Sequence, residues 1–189
     1  MKNSTVKNLS LASMFLAIGL VLPFFTGQIP QIGKMLLPMH IPIFLCALIC
    51  GWKYGLCIGL ILPLLRSFLF GMPVMFPSAV TMSFELAAYA FIAGYLYAHS
   101  RWQCIVALYR CLLIAMIGGR LVAALVKLVL LGLFGTPFTL EAFIAGSFVN
   151  AIPGIIVQLT VIPAIMLALH RTGLVSFHKN AKSCESTKS

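Results

Sequence analysis

Seven polar side chains stand inside otherwise apolar sequence: His40, Arg66, Glu85, Arg120, Lys127, Asn150 and Gln158. A charge at the bilayer centre costs about 2.5–3.5 kcal/mol on insertion scales, so such residues normally face a bundle interior or a wet cavity. Three cations against one carboxylate leave that interior net positive, which suits a carboxylate or phosphate-like group on a small molecule. Each member also has a plainer reading. Lys127 can snorkel to the interface, Arg66 can sit in the outer headgroup zone, and Glu85 can form a structural pair with an arginine. His40, at a helix start, can cap or pack. Together the set points to a small-molecule site, with His40, Arg66, Glu85, Arg120, Lys127 and Asn150 as the candidate substrate-binding residues.

Covalent chemistry has little to work with. The chain contains no aspartate, which removes aspartyl dyads and Asp-rich metal sites. No Gly-x-x-x-x-Gly-Lys-Ser/Thr loop, Gly-x-Ser-x-Gly elbow or His-Glu-x-x-His pair occurs. Glu141 reads as a dipole partner in the first turn of a helix. Six cysteines are present, but none forms a Cys-x-x-Cys pair or joins a histidine cluster, so they read as packing residues. No catalytic residue, metal site or cofactor is assigned, and no enzyme is expected.

The elements that position these residues are membrane helices. Hydrophobic residues make up 61% of the chain and charged ones 8%, against roughly 25% charged in a soluble domain; the mean hydropathy is +1.08. A span needs about 20 apolar residues, so the chain supplies about six. Helix 1 is expected over Leu9–Phe25, helix 2 over Pro38–Cys50, helix 3 over Gly55–Phe70 and helix 4 over Ser78–Ala98. Helix 5 should cover Cys104–Phe134, interrupted at Gly118-Gly119, and helix 6 should run from an N-cap at Thr139 to His170. Helix 2 is short for a span and is read as tilted or partly re-entrant. The apolar run of helix 1 is too long for a signal-peptide core and lacks a cleavage site, so it is retained.

The loops give the orientation. Lys2, Lys7, Lys53, Arg101, Arg171, Lys179, Lys182 and Lys188 fall on one side of six alternating helices, and only Lys34 on the other. That asymmetry places both termini in the cytoplasm and accounts for the +10 net charge without nucleic acid. The expected organisation is a six-helix all-α membrane domain over residues 1–171 and a polar cytoplasmic tail over 172–189. In this topology Glu85, Arg120 and Asn150 share the outer half of the bundle, under Gly/Pro-rich loops. Ser13 and Ala17, four apart on helix 1, form a small-residue face that lets another helix approach closely.

Several stretches together carry a resemblance. They are Leu37-Pro38-Met39-His40-Ile41-Pro42, Gly51-Trp52-Lys53-Tyr54-Gly55, and Pro63-Leu64-Leu65-Arg66-Ser67 with Gly71-Met72-Pro73. Phe84-Glu85-Leu86-Ala87-Ala88-Tyr89 and Ala93-Gly94-Tyr95-Leu96-Tyr97 continue them. From helix 1 to helix 6 the chain resembles the substrate-binding S components of energy-coupling factor (ECF) vitamin transporters. The resemblance implies a vitamin site facing outward beneath the first and third outer loops. It implies docking on a transmembrane T component through helix 1, here Ser13-x-x-x-Ala17 where Ala-x-x-x-Ala is frequent. Two ATPase subunits would supply the energy, in a prokaryotic plasma membrane. Pantothenate is the favoured substrate, with hydroxymethylpyrimidine, pyridoxine or riboflavin as alternatives. A stand-alone secondary transporter using Glu85 as proton carrier is the competing function.

Overall fold

The structure is a computed structural model; it describes residues 2–26, 39–71, 73–100, 105–134 and 152–171. Six helices are described: α1 Lys2–Thr26, α2 His40–Ile49, α3 Trp52–Phe70, α4 Val80–His99, α5 Ile105–Phe134 and α6 Ile152–Arg171. Among the described residues there is no strand. Among the described residues, four segments are long and apolar enough to cross a membrane: Thr5–Phe24, Trp52–Phe70, Met75–His99 and Ile105–Leu130. The apolar parts of α2 and α6, His40–Ile49 and Gly154–Leu169, are shorter.

The boundaries depart from the sequence expectation for identifiable reasons. α1 begins at Lys2 rather than Leu9, because no Gly or Pro in the polar leader interrupts a helix already nucleated. α3 begins at Trp52, three residues before the expected Gly55, because Gly51 alone turns the chain with φ 101°. That left-handed conformation carries no steric cost for glycine. At the other end Gly71 (φ 66°) returns its N–H to Ser67 O at 2.9 Å and closes α3. An irregular turn, Met75–Ala79, with extended Phe76, leads into α4. α5 is continuous through Gly118-Gly119, not interrupted there. The expected Thr139 cap, Glu141, Asn150, the turn at Trp102 and the tail 172–189 lie outside the described residues.

Glycines set how closely the helices approach. A Cβ at Gly59 of α3 would come 2.9 Å from the backbone of Leu86 and Ala87 of α4. At Gly94 of α4 it would come 2.9 Å from Cα of Trp52. These two crossings show α3 and α4 running antiparallel. α2 lies against α1, α3, α4 and α6, and its residues from Pro42 to Leu48 are all buried. At 1.5 Å per residue its ten residues cover about 15 Å, half a hydrocarbon core. Its C-terminal half meets Gly55 and Gly94 through Ala47, while its first residue, His40, lies beside Tyr89 in the middle of α4. α2 therefore starts part-way along the bundle.

The outward faces are as apolar as the core. Leu113, Ile117, Leu121, Leu125 and Leu128 of α5 are all exposed. In water such a face would be a liability; against lipid tails it is the expected surface of a spanning helix.

Candidate functional site

The centre of the site is a three-residue polar network between α4 and α5. Glu85 and Tyr89 are one turn apart on α4, so their side chains share a face. The Tyr89 hydroxyl donates to Glu85 Oε1 at 2.7 Å. From α5, Arg120 Nε donates to the Tyr89 hydroxyl oxygen at 3.1 Å and lies 3.6 Å from Glu85 Oε1. The last distance is an ion pair rather than a hydrogen bond. The carboxylate is thus held by a neutral donor and a nearby cation, the arrangement a charge needs in a water-poor interior.

α5 can reach this network because of its glycine pair. A Cβ at Gly119 would overlap the Tyr89 ring, and one at Gly118 would meet Ile92 Cδ1. With neither present, the Tyr89 ring packs close against α5 at Gly119, and its hydroxyl is held between Glu85 and Arg120. Tyr89 also packs on α2, with ring centroids 5.3 Å from His40 and 5.5 Å from Phe44. Its side chain is 2% exposed.

Exposure separates the network's members. The side chains of Arg120 and Glu85 keep 11% and 16% of their surface open. Among the described residues, no hydrogen bond engages the two Nη groups of Arg120 or Oε2 of Glu85. The structure therefore presents a guanidinium fork and a carboxylate oxygen side by side, each held by Tyr89 and each with bonding capacity left.

The other predicted residues distribute unevenly. His40 joins the network's edge through Tyr89 and is buried. Arg66 lies over the Phe24 ring of α1, with Cζ 5.7 Å from its centroid, and Phe24 stacks edge-on with Phe70 at 4.6 Å. Lys127 is half-buried, seven residues beyond Arg120 on the same face of α5, about 10 Å along the axis. Asn150 falls outside the described residues. On α1, Ser13 and Ala17 are exposed. The Ser13 hydroxyl bonds back to Leu9 O at 3.0 Å, and Ala17 borders a shallow apolar groove of about 350 Å³ with Ile18, Val21 and Leu22.

Two residues of this interior stand outside the six candidate binding residues. In sequence Tyr89 belongs to an apolar pattern, yet its spacing from Glu85 is a usable sign: a buried carboxylate needs a donor, and i+4 is where a helix supplies one. Gln158 of α6 is 2% exposed, and its Nε2 has no hydrogen-bond partner among the described residues. Leaving such a group unsatisfied costs about 1–3 kcal/mol.

The profile of the family described as ECF transporter, substrate-specific component, matches residues 7–166. The chain belongs to that family. No curated protein matches it. As an ECF substrate-specific component it is a helical, multi-pass membrane protein that binds a small-molecule substrate for transport. The family is one of transporter components and not of enzymes, in keeping with a site made of fixed hydrogen-bonding groups and an ion pair. Its members work with a T component and ATPase subunits.

Proposed function

We propose that this chain captures a small carboxylate-bearing vitamin or precursor from outside a prokaryotic cell, with pantothenate the favoured compound. The observation that carries the reading is the Arg120 guanidinium. Its Nε is engaged by Tyr89 and its charge is balanced by Glu85, while among the described residues neither Nη group is hydrogen-bonded. Such a fork receives a carboxylate bidentately, and the two α4 side chains hold it in place before the substrate arrives. Lys127 adds positive potential along α5, and His40, Arg66, Glu85 and Asn150 complete the proposed substrate-binding set.

In this reading residues 1–171 form the membrane domain, six helices with both termini cytoplasmic and α2 crossing only part of the bilayer. Residues 172–189 form the cytoplasmic tail. The exposed Ser13 and Ala17 face of α1 docks on a T component, and two ATPase subunits power release to the inside. The test has two parts. Mass spectrometry of small molecules released from the detergent-purified chain should find pantothenate, and vesicles holding the chain alone should bind it without concentrating it. Recovery of a cationic vitamin instead would overturn the substrate, and uphill uptake by the chain alone would favour a secondary transporter.

A further inference from the structure

We infer that Gln158 of α6 is a second recognition point of the same site: it reads an uncharged oxygen of the substrate, an amide carbonyl or a hydroxyl, while Arg120 takes the acid. The inference rests on the substrate reading above and extends it to the neutral half of the molecule. Its basis is a contrast within α6. Ile162 and Met166, one and two turns beyond Gln158 on the same face, are fully buried in the apolar core. Ile155 and Leu159, partly buried, also pack against that core. Apolar side chains do the packing there, and the amide among them is the exception.

Two other equally buried polar side chains, Thr81 and Ser83, are satisfied locally. Thr81 Oγ1 donates to Pro77 O at 2.8 Å and Ser83 Oγ to Ala79 O at 2.9 Å, each one turn back along its own chain. Gln158 Nε2 finds no acceptor among the described residues, although it is just as buried. α6 packs against α2 and α5, the helices that carry His40 and Arg120. A buried amide beside those helices, with no acceptor among the described residues, is a donor suited to an oxygen that arrives with the substrate. Being neutral, it selects against a second charge, which would be left buried and unpaired. The substrate class is therefore a small acid with an amide or hydroxyl distal to its carboxylate.

The experiment compares the parent with Gln158→Leu, which keeps the bulk and removes the amide. Thermal unfolding in detergent without added compound should show Q158L at least as stable as the parent, since an unsatisfied amide has been replaced by apolar packing. Calorimetry with pantothenate should show binding weakened roughly ten-fold, the loss of one hydrogen bond with its acceptor left dry. Earlier unfolding of Q158L, or pantothenate binding equal to the parent's, would overturn the inference. If the parent itself does not bind pantothenate, the substrate assignment falls separately. The unfolding comparison then decides Gln158: stability equal to or above the parent's supports the inference, and earlier unfolding refutes it.

Discussion

Arg120 and Tyr89, thirty-one residues apart, meet in one 3.1 Å hydrogen bond that joins α5 to α4 at the site. The bond depends on Gly119, because any side chain there would displace the Tyr89 ring. Through that ring the contact extends to His40 and Phe44 of α2. The polar network and the packing of three helices are thus one arrangement.

Tyr89→Phe should keep the ring in its seat and remove the hydroxyl between acid and base. Glu85 and Arg120 would each lose a partner in a mostly buried place, at about 1–3 kcal/mol. Gly119→Ala should cost a similar amount by overpacking, about 1–3 kcal/mol. Thermal unfolding of both variants in detergent checks this. A Tyr89→Phe protein as stable as the parent would mean that the hydroxyl bridge contributes nothing.

Docking through α1 is tested by replacing both Ser13 and Ala17 with leucine. Both positions are exposed, so the bulk should be tolerated by the fold while blocking close helix approach. Co-purification of the T component should be lost and pantothenate binding retained. Undiminished co-purification would move the docking surface elsewhere.

Topology follows from the basic residues. Reporter fusions at Gly27, Gly71 and Gly135 should read external, and a fusion at Trp102 internal. A cytoplasmic signal at Gly71 would reverse the orientation of α3 and α4 and place the site on the wrong side for uptake.

Much of the architecture was legible from composition, because apolar runs of span length have few alternatives in a chain with so few charges. The Glu85–Arg120 pair was legible as a possibility, since a buried carboxylate must find a cation. Its use of Tyr89 was not, because a tyrosine on an apolar helix looks like core until the facing helix is known to be glycine. In sequence Gly118-Gly119 reads as a break, whereas in the structure its role is contact. A glycine pair is ambiguous in sequence, and lipid-buried helices tolerate it where a neighbour packs in close. The shortness of α2 was visible, but its start at the level of Tyr89 depends on which helices surround it. Arg66, grouped with the site cations, makes its aromatic contact with Phe24 of α1.

The most direct measurement is calorimetry with pantothenate on the folded parent, Arg120→Ala and Glu85→Gln proteins. Arg120→Ala should weaken binding by about 1.5–3 kcal/mol, roughly ten- to a hundredfold, through loss of a charge-assisted hydrogen bond. Glu85→Gln still offers an oxygen to the Tyr89 hydroxyl and removes a like charge from the anion's surroundings, so it should change affinity less, or tighten it. Binding by Arg120→Ala equal to the parent's, with loss in Glu85→Gln, would contradict the account and identify a cationic or neutral substrate held by the carboxylate.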